Sequence, residues 1–322
     1  MSLTLCITTP EGIVLAADSR QTYQNVVGAK RVGSDSATKI YKVDGRIGVT
    51  VAGPAFLIDP SDPQVGPKGI GTFVQDILST VAKNDTVESV AKRLSVALEK
   101  IYDPTKILDA MEPEIEKQLH MNNGKIVKKE RLKNNIGIAI DWIDRNGVTQ
   151  KAMGEVMPIS LIVAGYDNQE KGKKVLNCFM SHIPGELKPI RQHGTQNQYG
   201  ASWTGQSDVV QRVILGFDPR IMNVPLMQAV VKTQGLDNVN NSLHSLEYII
   251  NWSAMTIYDA VAFAKLMVET TSAIQKFSDG IKLMPGDMPG VGGPIDVAII
   301  SPKNGFLWHA KKQLELLEEP KI

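Results

Sequence analysis

The start of the chain constrains its fold more than any other stretch. Ser2 to Thr9 mixes β-branched and apolar residues, and Pro10-Glu11-Gly12 is a turn signal. The return run Ile13-Val14-Leu15-Ala16-Ala17 is almost continuously apolar before Asp18-Ser19-Arg20. Together they predict a buried β-hairpin, with residue 2 at the open end of its first strand. By the two-residue period, Cys6 shares a strand face with Ser2 and is expected to be a small core residue.

Several function classes are excluded by composition. The chain has 322 residues, 43% of them hydrophobic and 21% charged, enough for a sizeable core. A net charge of +1 gives no reason to expect nucleic acid or an anionic membrane as partner. Two cysteines, Cys6 and Cys178, make no disulfide framework and suit a reducing compartment. The five histidines lack metal-ligand spacing, so no metal or cofactor is expected. No apolar run reaches membrane-spanning length, and no leader is read before Ser2, so the expected location is cytoplasmic.

After the hairpin, Gln21 to Ala37 reads as a polar loop. Lys39 to Val43 and Arg46 to Ala52 flank Asp44-Gly45 and predict a second hairpin, ended by Gly53-Pro54. The apolar period then changes from two to helical. One helix is expected over Ile70 to Leu78, and a second over Val87 to Leu98 with Asp85 or Thr86 as its cap. Residues 103–133 are charged and read as a solvated insertion. Strand patterns return at Ile136–Trp142, Ser160–Tyr166 and Val175–Ser181, predicting a second antiparallel layer. A small-residue loop, Tyr199 to Ser207, leads into the helical run Val209 to Leu215. Residues 217–254 give no clear pattern. A long helix is expected from Thr256, capped with Asp259 three residues on. Ile295 to Ile300 forms a final buried strand. Strands, helices, strands, helices and strand in that order suit two stacked sheets with helices outside.

Ser2 is also the chemically interesting residue. Once Met1 is removed, it carries a hydroxyl and a free α-amine on one carbon, and an amine with a pKa of about 7.7–8.0 is a base suited to neutral pH. It can take the proton of its own hydroxyl, as in N-terminal variants of nucleophilic catalysis.

Ala16-Ala17-Asp18-Ser19-Arg20, Lys39-Ile40-Tyr41-Lys42-Val43 and Ala52-Gly53 resemble the N-terminal region of proteasome β-subunits, which are N-terminal nucleophile (Ntn) hydrolases. Ala164-Gly165-Tyr166-Asp167, Trp203-Thr204-Gly205-Gln206 and Gly292-Gly293-Pro294-Ile295-Asp296-Val297 resemble later motifs of that family, in the same order. The resemblance implies an α/β (α+β) fold, a four-layer αββα sandwich of two antiparallel sheets flanked by helices. It also implies a single domain over residues 1–322 with insertions near 103–133 and 217–254.

Carried over residue by residue, the resemblance implies a site. Ser2 is the nucleophile, Lys39 favours loss of its hydroxyl proton and Asp18 holds Lys39. The Gly53 amide faces the oxyanion, and the Thr204 hydroxyl sits near the nucleophile's amine. Thr22 offers main-chain hydrogen bonds to an extended substrate. Gln21, Ala37, Val51 and Ala55 surround the specificity pocket, so an uncharged, hydrophobic side chain is expected before the scissile bond. The implied substrate is a peptide or unfolded protein, and the implied assembly is a ring or stacked-ring homo-oligomer; an ATPase partner and a small-amide substrate stay open. Two departures stand out. Serine replaces the usual threonine, and the family's Asp-x-x-Ser before Gly-Gly reads Met288-Pro289-Gly290-Val291, with Asp287 one residue early and no hydroxyl at Val291. The alternative is a catalytically inactive proteasome-like subunit serving as scaffold or binding surface.

Overall fold

The computed structural model describes residues 2–24, 30–132, 136–168, 172–282, 284–285 and 289–313. The first hairpin forms as its sequence predicts, from β1 (Leu3–Thr9) and β2 (Gly12–Ala17), with every residue of both strands buried. The stretch expected as a loop after it contains a two-stranded ribbon, β3 (Gln21–Gln24) and β4 (Lys30–Ser34). Its strands have no apolar face for a pattern to reveal. Packing of Arg31 over the Tyr23 ring, 4.5 Å from the centroid, is a cross-strand contact instead.

β5 (Ile40–Val43) and β6 (Ile47–Ala52) pair across Asp44-Gly45, and both turn residues have positive φ. A short ribbon follows, β7 (Phe56–Ile58) with β8 (Pro67–Gly69). The two expected helices are α1 (Ile70–Ser79) and α2 (Val87–Ile101). Thr86 caps α2 by accepting from the Ser89 amide at 3.1 Å.

Residues 103–156 depart most from expectation. Helix α3 (Pro104–Met121) packs on a separate sheet of β9 (Lys125–Arg131), β10 (Gly137–Ile143) and β11 (Thr149–Glu155). The strand pattern near 136–142 therefore belongs to this small sheet and not to the second main layer. The unit has its own core, where Leu108 and Leu119 meet Ile138 and Ile140. An alternating strand shows that one face is buried, but not which partner buries it.

The chain re-enters the main body with β12 (Ile159–Asn168), β13 (Lys174–Ile183), β14 (Leu187–Gln192) and β15 (Gly200–Gly205). Helices α4 (Asp208–Ile214), α5 (Pro225–Gln234) and α6 (Leu236–Leu243) follow, so much of the unpatterned 217–254 stretch is helical. Helix α7 (Ile257–Phe277) starts at a complete capping box between Thr256 and Asp259. After the small β16 (Gly280–Ile281) and β17 (Met284–Pro285), β18 (Asp296–Ser301) and β19 (Gly305–Ala310) close the fold.

The two main sheets run β15-β1-β2-β18-β19 and β14-β13-β12-β6-β5, antiparallel throughout. Cys6, Ile13 and Leu15 of the first sheet pack against Ile40, Ile162 and Cys178 of the second. The outer face of the second sheet meets α1 and α2 through Val49, Val51, Phe73 and Leu94. Leu3 and Leu5 turn the other way, onto Val210, Met267 and Val268 of α4 and α7. Alternation along β1 therefore puts Ser2, Thr4 and Cys6 on the face toward the second sheet. No helix among the described residues is long and apolar enough to cross a membrane.

Candidate active site

Asp18 is the hub of the site. Its side chain is fully buried and accepts four hydrogen bonds. Oδ1 takes the Leu3 amide at 2.9 Å and the Lys39 ammonium at 2.6 Å. Oδ2 takes the amides of Arg20 and Gly292, both at 3.0 Å. One carboxylate thus joins the start of β1, the turn after β2, the edge of β5 and the loop before β18. Such saturation is what a buried charge requires, because each unmet lone pair would carry a desolvation penalty.

Lys39 precedes β5 and has a second partner, the Arg20 carbonyl at 2.6 Å. Burial pushes its ammonium pKa below the ordinary lysine value, while Asp18 pulls the other way. The charge of Lys312 adds to the downward push. Lys312 is itself bound to the buried carboxylate of Asp296 at the start of β18.

Ser2 is held by its backbone. Its carbonyl accepts from the Gln206 amide at 2.7 Å, and the next amide, Leu3, donates to Asp18. Gly205 makes the first contact possible: its φ is +88°, and a Cβ there would lie 1.9 Å from the Ser2 carbonyl oxygen. Gly53 is equally constrained, with φ at +135° and the Pro158 carbonyl 2.6 Å from any added Cβ.

These residues open onto one cavity of about 330 Å³, whose lining includes Ser2, Lys39 and Gly53. All five residues expected to contact substrate line it as well: Gln21, Thr22, Ala37, Val51 and Ala55. Asp18 lies behind the wall. Thr204 is not in the lining, and its hydroxyl meets Thr4 Oγ1 at 2.8 Å, which in turn meets Thr50 Oγ1 at 3.0 Å. Register explains this: Thr204 stands opposite Thr4, one step further along the same strand face than Ser2. Among the described residues no cluster of three His, Cys, Asp or Glu side chains could hold a metal ion.

Residues 2–55 match the family model described as proteasome subunit. This part of the chain is proteasome-subunit-like. A solved structure, the Anbu (Gly-1) mutant from Hyphomicrobium sp. strain MC1, aligns at 14% identity with a TM-score of 0.44. That alignment covers 95% of this chain and 85% of the other. No curated protein sequence matches.

The site also includes residues with no expected role. Arg20 lines the cavity and forms a two-pronged ion pair with Asp35, at 2.8 and 3.0 Å. Tyr41 also lines it, its hydroxyl donating to the Thr38 carbonyl at 2.7 Å and its pKa raised by burial to about 12. Thr72 and Gln75 of α1 add polar atoms. Arg20 and Tyr41 stand inside the quoted motifs and were findable there; α1 reaches the cavity only through tertiary packing. Val291, expected to matter for its missing hydroxyl, is fully buried beside Leu3 and Met267. Asp287 and Met288 lie outside the described residues.

Proposed function

We propose that this chain is an Ntn-type hydrolase that cleaves peptide or other amide bonds, in a four-layer αββα domain. The observation that carries the proposal is the single cavity shared by Ser2, Lys39, Gly53 and the five expected substrate contacts, with Asp18 fixing Lys39 from behind. With Met1 removed, the Ser2 amine takes the hydroxyl proton and the oxygen attacks the carbonyl carbon. Lys39, held charged by Asp18, stabilises the developing alkoxide. The Gly53 amide stabilises the oxyanion, a contribution of roughly 2.7–4 kcal/mol in other hydrolases. Collapse of the tetrahedral species expels the amine, which receives the proton, and water then releases the acyl group by the same route.

Ala37, Val51, Ala55, Tyr41 and Ile70 give the cavity apolar walls. The expected preference is therefore an uncharged, hydrophobic side chain before the scissile bond, and preferential cleavage after Lys or Asp would overturn it. A ring-type homo-oligomer in the cytoplasm completes the proposal, to be tested by light scattering.

A second reading, an inactive scaffold subunit, is favoured by two features: Val291 is apolar core, and the Thr204 hydroxyl meets Thr4. Intact mass and a peptide panel separate the two. A chain lacking Met1 that hydrolyses peptides, and loses that activity in Ser2→Ala, supports the hydrolase. A free Ser2 amine with no Ser2-dependent turnover leaves the scaffold.

A further inference from the structure

Both ends of the Ser2–Leu3 peptide are gripped: Gln206 N–H donates to the Ser2 carbonyl, and the Leu3 N–H donates to Asp18. The two grips sit on different segments, the turn after β15 and the carboxylate hub. Both lead back to one side chain on α7. Gln275 Oε1 accepts from the amides of Gly290 and Val291, at 2.9 and 2.8 Å. The next amide, Gly292, is the one that donates to Asp18 Oδ2. Gln275 Nε2 donates to Gln206 Oε1 at 3.0 Å. The two backbone donors fix which end of the carboxamide is oxygen, so its nitrogen must face Gln206.

We propose that Gln275 is a positioning residue for Ser2: one carboxamide couples the loop that saturates Asp18 to the turn that holds the Ser2 carbonyl. It is not among the residues that line the cavity. It acts where the family-like motifs leave a gap, because the loop offers Val291, a fully buried apolar side chain, and no hydroxyl at that position. Its placement follows from the helix. Ala264, Met267, Val268 and Thr271 are the buried stripe of α7, and Gln275 continues it by one turn, past the last apolar contact. A polar residue at the end of a buried stripe meets the loops that cap the core instead of the core itself.

This proposal rests on the hydrolase reading, and its test separates the two. Gln275→Leu removes all three hydrogen bonds at similar volume. Gln275→Glu keeps an acceptor for both loop amides, and the Gln206 amide can turn over to donate to its second oxygen. Glutamate in the last turn of a helix is unfavourable, so melting temperature falls in both variants and decides nothing. For Gln275→Leu the expected result is a fall in kcat of about tenfold with KM within about twofold, and the Glu variant returns to within about threefold of wild type. Hydrogen exchange followed by mass spectrometry supplies a readout without activity. In Gln275→Leu, exchange should quicken together at residues 290–292, at Gln206 and at Leu3. An active enzyme whose kcat is unchanged by Gln275→Leu overturns the proposal. So does faster exchange confined to 290–292. If the wild type shows no Ser2-dependent turnover, the hydrolase reading falls, and the exchange pattern alone decides whether the clamp exists.

Discussion

Two of the charge networks among the described residues solve opposite problems. Asp18 and Lys39 meet at 2.6 Å with 0% and 7% of their side chains exposed. On the small sheet, Lys129 meets Glu112 and Glu116 while Arg131 meets Asp109 and Glu112, with exposures between 20% and 58%. Water satisfies whatever the second network leaves open. The first has no water to lean on, and so Leu3, Arg20 and Gly292 must all deliver amides to one carboxylate. A buried pair is thus evidence of how the whole chain is folded; an exposed network reports only that a helix lies over a strand. A buried ion pair often contributes little net stability against an apolar replacement, so its persistence calls for another reason. Lys39 lines the same cavity as Ser2, which provides one.

The largest expected effect tests that contrast directly. Lys39→Ala strands a buried carboxylate and should cost about 3–5 kcal/mol in urea unfolding, with peptide hydrolysis lost. Lys129→Ala should cost less than about 1 kcal/mol and leave hydrolysis unchanged. Equal destabilisation by the two variants would end the contrast.

A smaller effect sharpens it. Removing both charges, with Lys39→Met and Asp18→Leu together, relieves the stranded ion. The double variant should recover about 1–3 kcal/mol relative to Lys39→Ala while hydrolysis stays absent. Recovery of stability without activity would separate the pair's chemical role from its structural one. No recovery would mean that Asp18 matters mainly as an acceptor for the amides of Leu3, Arg20 and Gly292.

The same contrast marks how far the sequence could be read. The buried half of the molecule announces itself: β1 and β2 are runs of apolar and β-branched residues, buried throughout, and Thr256 with Asp259 spells a capping box. The cavity lining of Ser2, Lys39, Gly53, Gln21, Thr22, Ala37, Val51 and Ala55 is legible because these residues stand at fixed offsets from those strands. The motif points Thr204 toward the nucleophile's amine, and its hydroxyl contact with Thr4 becomes visible only from the strand register. β10 is legible as a strand but its sheet is not, because β9 reads Lys-Ile-Val-Lys-Lys-Glu-Arg, a charged strand whose partners are α3 carboxylates and not apolar neighbours. Gln275 was missed for a different reason. An apolar period ends before it, and only the meeting of two distant loops at its carboxamide gives it a role.

The finest test of the two networks is pH. The folded-state pKa of Lys39 lies below its ordinary value because of burial, so between that pKa and 10.5 the unfolded chain binds more protons. Stability relative to Lys39→Met should therefore rise with pH through that alkaline window, and hydrolysis should decline over the same range as the charge is lost. Glu112 is the opposite case: hydrogen bonds from Lys129 and Arg131 hold its pKa below the ordinary glutamate value. Its contribution is complete above pH 4.5 and disappears as pH falls through the lowered pKa, seen as a difference from Glu112→Gln in acid alone. Salt then discriminates between them. At 1 M, where the screening length is about 3 Å, the Glu112 difference should vanish and the Lys39 window should persist. Loss of the Lys39 window in salt would mean that water reaches the Asp18 carboxylate, and that the two networks differ in degree only.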